Sequence, residues 1–187
     1  MPSEISYVRI TSVPVAYGDR PSDLCLMNKT SKWLGLLWWI LLCAAAGAIG
    51  GIASASAPEF YAALVKPNWA PPAGVFGPVW TLLYMAMAVS AWLAWSERGW
   101  AGARGALSLF MLQLGLNALW SWLFFGWHQG GWAFADILVL LALILATIFA
   151  FARINKAAAW LLLPYLAWVS FATALNYSVW RLNPQLL

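Results

Sequence analysis

Aromatic and amide side chains recur at helical spacing in three apolar stretches of the chain. Residues three, four and seven positions apart share one face of a helix. The three faces defined by this rule are Trp80, Tyr84 and Met87; Gln113, Asn117, Trp120 and Phe124; and Tyr165, Trp168, Ala172 and Asn176. Flat rings with a few polar tips are typical of a pocket for a flat, largely apolar ligand with polar edges. Such faces are also typical of plain helix packing, in which the amides serve as interhelical hydrogen bonds.

The composition places these stretches in a membrane. The chain has 187 residues, of which 64% are apolar and 9% are charged, whereas soluble domains have about 25% charged residues. A soluble enzyme, a disordered chain and a nucleic-acid binder are therefore disfavoured, and the scattered Lys and Arg residues form no basic stripe for phosphates. The lipid bilayer is the expected partner, and nucleic acid is not.

Five stretches reach the roughly 20 residues that a bilayer crossing needs, and their uninterrupted apolar character indicates helices. They cover residues 33–55, 78–95, 103–125, 132–151 and 157–179. The expected fold class is an all-α membrane protein, a bundle of five transmembrane helices in one domain, 27–187. Pro164 lies inside the fifth stretch and predicts a kink there, because proline removes a backbone donor.

Small residues in the first stretch recur every four positions, at Cys43, Gly47, Gly51 and Ala55. Small side chains at this spacing allow helix backbones to approach closely. They predict packing within the bundle or, alternatively, the seam of a homodimer. A similar pattern, with Ala101 and Gly105, begins the third stretch.

The segment before the first stretch permits several interpretations. Residues 1–26 are polar and have no helical or strand period, so they are a disordered tail, or translation begins at Met27. The first stretch could also be a cleaved signal peptide, but its apolar run exceeds the roughly 7–15 residues of a signal core.

Loop charges predict the orientation. One side of a five-span bundle would hold the basic residues Lys29, Lys32, Arg98, Arg104, Arg153 and Lys156, and the other would hold Lys66 and Arg181. The positive-inside rule makes the first side, with the N-terminus, cytoplasmic. An integral protein of the bacterial inner membrane is expected, and an outer or organellar membrane is the alternative.

The longest connection, residues 57–77, is rich in proline and aromatic residues, which favours an ordered, stiff cap over the bundle. Its motif continues into the second stretch as Tyr61-x-x-Leu64-x-Lys66-Pro67-x-Trp69-x-Pro71-Pro72-x-x-x-Phe76-x-Pro78-Val79-Trp80-Thr81-x-Leu83-Tyr84. Two further motifs follow, Gln113-x-x-x-Asn117-x-x-Trp120-Ser121-x-x-Phe124-Phe125 and Pro164-Tyr165-x-x-Trp168-x-x-Phe171-Ala172-x-x-Leu175-Asn176. Together they resemble the TspO/MBR family of tryptophan-rich sensory proteins. Phe60 departs from the family pattern, which often has Trp there.

The resemblance implies a five-helix bundle, commonly a homodimer, that binds porphyrins and sterol-like or drug-like molecules in a pocket under the first loop. It implies no obligatory cofactor, and porphyrin is the expected ligand. It assigns the aromatic walls to Trp80, Tyr84, Trp120 and Trp168, the amides to Gln113 and Asn117, the floor to Ala172, and the lid to Tyr61, Lys66 and Trp69. Lys66 is the candidate cation for porphyrin propionates.

Three other features suggest ligand or proton chemistry. Leu175, Tyr177 and Arg181 fit a loose pattern proposed for sterol contact, although Arg181 could equally anchor the helix at the interface. Asp136 is a carboxylate inside a span, a costly position that indicates either function or a structural polar contact. His128 is the one histidine of the chain, so the two axial histidines of many haem sites are unavailable and free porphyrin is favoured over ligated haem.

Three functions are compatible with this sequence. The first is a membrane sensor or carrier for tetrapyrroles, involved in porphyrin trafficking or stress-linked regulation. The second is a porphyrin-degrading enzyme that depends on light or an oxidant, and the third is a transporter of hydrophobic ligands. The sequence contains no catalytic triad or nucleotide loop, which argues against the enzyme.

Overall fold

The computed structural model describes residues 29–187, and this range is helical with no strand. The all-α prediction is confirmed. The predictions for residues 1–26 and for a start at Met27 lie outside the described residues. The elements are α1 (Lys29–Ala53), α2 (Ala57–Ala63), a 3₁₀ turn (Ala73–Val75), α3 (Phe76–Ser121), a π-turn (Trp122–Gly126), α4 (Gly130–Ala152), α5 (Lys156–Leu161) and α6 (Leu163–Leu182).

Helix α3 contains two membrane passes that turn back on each other at Gly99. Gly99 has φ 62° and ψ −176°, a conformation that glycine adopts at little cost because it lacks a Cβ. The Tyr84 hydroxyl then reaches Asn117 Oδ1 at 2.5 Å, although residues 33 apart in a straight helix would be separated by about 50 Å. We call residues 76–98 the first arm and residues 100–121 the second arm.

The bundle therefore contains five membrane passes, as predicted. The segments long and apolar enough to span a bilayer are Ser31–Ala53, Ala73–Gly126, Gly130–Ala152 and Lys156–Leu182, and the second of these contains both arms of α3. The first arm continues three residues beyond the predicted end at Trp95, through Ser96, Glu97 and Arg98. Polar residues end an apolar stretch, but they do not interrupt helical backbone hydrogen bonds.

The fifth pass is broken where Pro164 predicted a kink. Helix α5 ends at Leu161, and Pro164 lies in the first turn of α6. A first-turn proline costs little, because its missing N–H would have no helical partner there. Leu166 N donates to Leu162 O at 2.9 Å and thereby continues the chain into α6.

The two ends of the bundle differ in charge, as the loop charges predicted. At one end, which we call the basic end, Arg98 donates to the Arg153 carbonyl oxygen at 3.0 Å, and the Trp92 indole donates to the Lys32 carbonyl oxygen at 2.9 Å. The opposite end, the loop end, holds α2, the π-turn and the C-terminal end of α6.

Helices pack most closely in the half of the bundle near the basic end. Alanines from both arms of α3 and from α5 are fully or almost fully buried there, among them Ala88, Ala91, Ala94, Ala103 and Ala158. The Ser90 hydroxyl donates to the Ala158 carbonyl oxygen at 2.6 Å, which shows that the backbones of these helices approach closely. We call this region the packed half.

Candidate functional site

The half of the bundle near the loop end contains a cavity of about 410 Å³, within the roughly 300–1,000 Å³ of small-molecule pockets. All the elements except α4 and α5 contribute to its wall. The lining residues are Gly47, Gly50, Gly51, Ser54, Ala57, Pro58, Tyr61, Ala73, Phe76, Gly77, Trp80, Tyr84, Asn117, Trp120, Ser121, Phe125, Trp168 and Ala172.

The first arm of α3 supplies one aromatic wall. Phe76, Trp80 and Tyr84 are four residues apart and therefore share a helix face. The rings of Trp80 and Tyr84 lie 5.6 Å apart at 34°. The Tyr84 hydroxyl is engaged by Asn117, so this wall presents mainly ring surface to the cavity.

The second arm and the π-turn supply the facing wall. Trp120 stacks on Phe124 at 5.3 Å and 13°, and its indole N–H donates to Asn176 Oδ1 at 2.9 Å. In the π-turn, which is wider than an α-helical turn, Trp127 N donates to Trp122 O at 2.7 Å. A single π-turn shifts the side chains that follow it around the helix axis, and here Phe125 borders the cavity.

Helix α6 closes the third side with Trp168 and Ala172. The Trp168 ring meets Phe76 edge to face, with ring centroids 5.9 Å apart. Its indole nitrogen is buried without a hydrogen-bond partner among the described residues. Buried donors are normally paired, so this nitrogen is an exception, and Trp168 contributes ring surface to the cavity.

The glycines of α1 complete the wall, and sequence reasoning missed this role. A Cβ on Gly47 would lie 3.0 Å from the Tyr84 ring, and one on Gly50 would lie 3.0 Å from Ser121 Oγ. Cys43 and Ala46, earlier in α1, are buried within the bundle. The small-residue stripe therefore packs inside the bundle along its first part and borders the cavity further on.

Residues 57–75, which we call the lid, lie over the cavity as an ordered segment. The Tyr61 hydroxyl donates to the Pro71 carbonyl oxygen at 3.0 Å and joins α2 to the proline-rich part of the lid. Burial raises the pKa of the Tyr61 hydroxyl above its usual range, so this donor stays protonated at neutral pH. The long loop is thus the ordered cap that its composition predicted.

Most of the predicted wall residues meet at the cavity. Seven of the predicted ligand-binding residues line it, and they come from the lid, both arms of α3 and α6: Tyr61, Trp80, Tyr84, Asn117, Trp120, Trp168 and Ala172.

Two predicted lid residues lie outside the lining. The Lys66 ammonium donates to the carbonyl oxygens of Tyr61 at 2.6 Å and Leu64 at 2.7 Å, so it caps the end of α2 rather than entering the cavity. Trp69 packs on Phe171 with ring centroids 5.6 Å apart, and its side chain is half exposed.

Three predicted residues lie behind the wall. Gln113 and Tyr165 are fully buried, and neither the Gln113 amide nor the Tyr165 hydroxyl has a partner among the described residues. Each lies about one helical turn below a lining residue, toward the packed half. Asn176 holds the Trp120 indole and donates to the Gly130 carbonyl oxygen at 3.3 Å.

The residues of the proposed sterol pattern do not form one surface. Leu175 is buried against the lid and the π-turn, whereas Tyr177 is about half exposed. Arg181 is exposed on the same side of α6 as Tyr177. The two-residue step from Leu175 to Tyr177 turns the helix by about 200°, so only Tyr177 and Arg181 can contact one lipid or sterol.

Two further titratable residues lie apart from the cavity. His128 is exposed at the loop end with φ 54°, and its ring lies 4.2 Å from the Phe60 ring. Asp136 is buried on α4, and its Oδ2 atom has no hydrogen-bond partner among the described residues.

The cavity wall carries no formal charge. Its lining includes no Lys, Arg, Asp or Glu among residues 29–187. Within the same range, no cluster of three His, Cys, Asp or Glu side chains is placed to hold a metal ion. The site offers ring surface and the Asn117 amide, which suits a flat apolar molecule with few polar atoms.

The sequence is similar to those of known membrane proteins. A profile described as the TspO/MBR family matches residues 39–181, which include all the lining residues. The chain is 46% identical to the translocator protein of Homo sapiens over 127 residues, covering 67% of this chain and 75% of the relative. It is 42% identical to the tryptophan-rich protein TspO of Chlorobaculum tepidum over 161 residues, covering 84% and 100%. It is also 36% identical to the protein CrtK of Rhodobacter capsulatus over 150 residues, covering 78% and 91%.

Proposed function

Because the chain belongs to the TspO/MBR family of integral, multi-pass membrane proteins, we propose that it is a membrane-embedded binding protein and sensor for flat hydrophobic ligands. Tetrapyrroles such as protoporphyrin IX are the primary class, and sterols and benzodiazepine-type drugs are further ones. The observation that carries this proposal is the uncharged, aromatic-walled cavity under an ordered lid. Its role would lie in porphyrin trafficking or stress-linked regulation.

The chemistry of the wall supports a flat ring system. Trp80, Trp120 and Trp168 present indole surfaces from three membrane passes, and aromatic rings bind flat partners by stacking and edge contacts. The Asn117 amide supplies a polar group in the same wall. A macrocycle bound between these indoles would be shielded from both water and lipid.

The absence of charge in the described wall constrains how a porphyrin would bind. Carboxylates are costly to bury without a partner, and the Lys66 ammonium is engaged by backbone carbonyls of α2. We therefore propose that the propionates project through the mouth of the cavity while the ring enters it. The dimethyl ester of protoporphyrin IX should then bind at least as tightly as the free acid.

An equilibrium titration of the purified protein tests the proposal. Protoporphyrin IX, haem and a sterol are titrated side by side into the wild type and into Trp80→Phe and Trp168→Phe. Both substitutions should weaken protoporphyrin binding and reduce tryptophan quenching. Trp160→Phe is the matched control, because Trp160 is exposed at the start of the fifth pass. Identical curves for all three variants would refute the assigned cavity.

A porphyrin-degrading activity is a second candidate, favoured by the three oxidisable indoles that line the cavity. It would appear as a light-dependent loss of porphyrin absorbance that requires the protein. Loss of that decay in Trp80→Phe or Trp168→Phe, with porphyrin still bound, would favour the enzyme over the sensor.

The remaining proposals concern location and assembly. The basic end would face the cytoplasm of a bacterial cell, by the positive-inside rule, so the lid would face outward. A homodimer would use exposed small residues such as Ala101 and Gly105 at the start of the second arm, where backbones can approach closely.

A further inference from the structure

Asn183, the residue that follows α6, forms a paired contact with the middle of the lid. Val65 N donates to Asn183 Oδ1 at 2.8 Å, and Asn183 Nδ2 donates to Val65 O at 2.9 Å. The same Nδ2 donates to Val179 O at 2.7 Å, within the last turns of α6. The side chain is 5% exposed, so this amide joins two segments that are 118 residues apart in the chain.

The other polar contacts of the lid are internal. Tyr61 and Lys66 bond to carbonyl oxygens of the lid itself, which makes the lid one stiff unit without attaching it to a membrane helix. Among the described residues, the hydrogen bonds that join residues 58–72 to an element distant in sequence all end on Asn183. Apolar contacts hold the same region, since Leu64 packs in the cluster that contains Leu175 and Val179.

The contact needs the chemistry of asparagine. A carboxamide accepts through Oδ1 and donates through Nδ2, so it can pair with both groups of one peptide unit. Aspartate has the same shape but, when ionised, only accepts, and it would place a charge against the carbonyl oxygens of Val65 and Val179. Asn183 does not line the cavity, so any effect on ligand is indirect, through the lid or through the last turn of α6.

We propose that Asn183 is a positioning residue for ligand binding, and that breaking its pair with the Val65 peptide is the step by which the lid opens to admit and release the ligand. The identity of the ligand in this inference rests on the proposed function, whereas the opening of the lid rests on the contact between Asn183 and Val65 alone. Sequence spacing gives no sign of it, because Asn183 lies beyond the three motifs.

The test compares Asn183→Asp with Asn68→Asp in lipid nanodiscs. Asn68 is an exposed lid residue with no hydrogen bond among the described side chains, so it controls for an added negative charge at the loop end. Amide hydrogen exchange of the 61–72 peptides measures lid opening, and stopped-flow mixing with protoporphyrin IX measures both rates. We expect Asn183→Asp to speed lid exchange and ligand dissociation by about tenfold, because the donor to Val65 O is lost and a carboxylate then faces that carbonyl oxygen. Association should also quicken, and Asn68→Asp should match the wild type.

Val65→Pro approaches the same contact from the lid and leaves α6 intact. It removes the Val65 N–H, and Leu64 already has the extended conformation (φ −76°, ψ 141°) that a following proline requires. Its effects should have the same direction as those of Asn183→Asp and be smaller. Because α6 is untouched, this variant remains informative if Asn183→Asp does not fold.

The outcomes separate the two proposals. Unchanged lid exchange in both variants would overturn the role of Asn183, whether or not porphyrin binds. Faster exchange with unchanged dissociation would overturn the gating step and leave the cavity assignment intact. Failure of the wild type to bind protoporphyrin IX would overturn the proposed function, and the exchange data would still decide whether Asn183 holds the lid.

Discussion

Both arms of α3 run through the packed half and the cavity half of the bundle, and they carry different side chains in each. The first arm of α3 carries Trp80 and Tyr84 at the cavity and then Ala88, Ala91 and Ala94 in the packed half. The second arm runs the other way, from buried Ala103 and Ala106 to Asn117 and Trp120. On both arms, residues that line the cavity include large aromatic rings, and several residues buried toward the basic end are alanines.

The difference shows how one bundle can be both tightly closed and hollow. Where alanines face each other, helix backbones approach and little space is left. The packed half also buries the rings of Trp39, Phe110 and Phe151, which pack against one another, whereas the rings of Trp80, Trp120 and Trp168 line an open cavity.

The largest expected effect is a difference in stability when the same substitution, alanine to leucine, is made in each half. Ala91→Leu adds volume to a fully buried position in the packed half and should lower the free energy of unfolding by about 1–3 kcal/mol. Ala172→Leu adds the same atoms to the cavity wall, where space is available, and should leave that free energy near the wild-type value. Unfolding in mixed detergent micelles measures both, and equal destabilisation would show that the halves do not differ in packing.

For ligand affinity, we expect the larger effect at Ala172 and the smaller effect at Ala91. Ala172→Leu adds three carbons to space that a bound ring needs and should weaken protoporphyrin IX binding by at least about tenfold, since one unaccommodated methylene already costs about 10–200-fold. Ala91→Leu lies away from the cavity and should bind normally when folded. Titration of the two variants at a temperature where both are folded checks this expectation, and tighter binding by Ala172→Leu would contradict it.

A smaller effect concerns the contact that joins the two arms. Tyr84→Phe keeps the ring at the wall but removes the hydroxyl donor to Asn117 Oδ1, which should cost about 1 kcal/mol of unfolding free energy. Porphyrin affinity should change little, because that hydroxyl is engaged by protein. Tyr177→Phe, at a half-exposed ring on α6, is the matched control. A selective loss of affinity in Tyr84→Phe would mean that the hydroxyl contacts the ligand.

The smallest effect is confined to the lid and to alkaline pH. The pKa of Tyr61 is raised above 10.0 by burial, so folding favours the neutral phenol. Its stabilisation is present below about pH 10 and is lost as the pH rises through the folded-state pKa. Hydrogen exchange of the lid, corrected for the intrinsic rate, should be constant from about pH 7 to about pH 9 and accelerate above that range. Tyr61→Phe should remove the acceleration, and a variant that retained it would assign it to another group.

Sequence patterns predicted which side of each helix faces the cavity better than they predicted how far along the helix the cavity extends. The faces containing Trp80, Trp120 and Trp168 do point toward one cavity, because spacing in a helix fixes azimuth. Gln113 and Tyr165 share those faces but lie behind the wall, since their depth depends on how closely neighbouring helices approach. The same limit applies to Gly47 and Gly51, whose spacing predicted close packing or a dimer seam but gave no sign of a gap.

Contacts between distant segments escaped prediction for a different reason. The π-turn at Trp122–Gly126 and the pairing of Asn183 with Val65 depend on where two chain segments meet after folding. The break at Gly99 could be anticipated in part, because two predicted spans had to be joined by a short polar turn. Its left-handed backbone then explains why glycine stands there.

A structure of the protein with protoporphyrin IX bound tests the central claim most directly. We expect the macrocycle inside the cavity, between the indoles of Trp80, Trp120 and Trp168, with the lid closed above it and the propionates at the mouth. A porphyrin on the lipid-facing surface of the bundle, with the cavity unchanged, would contradict it.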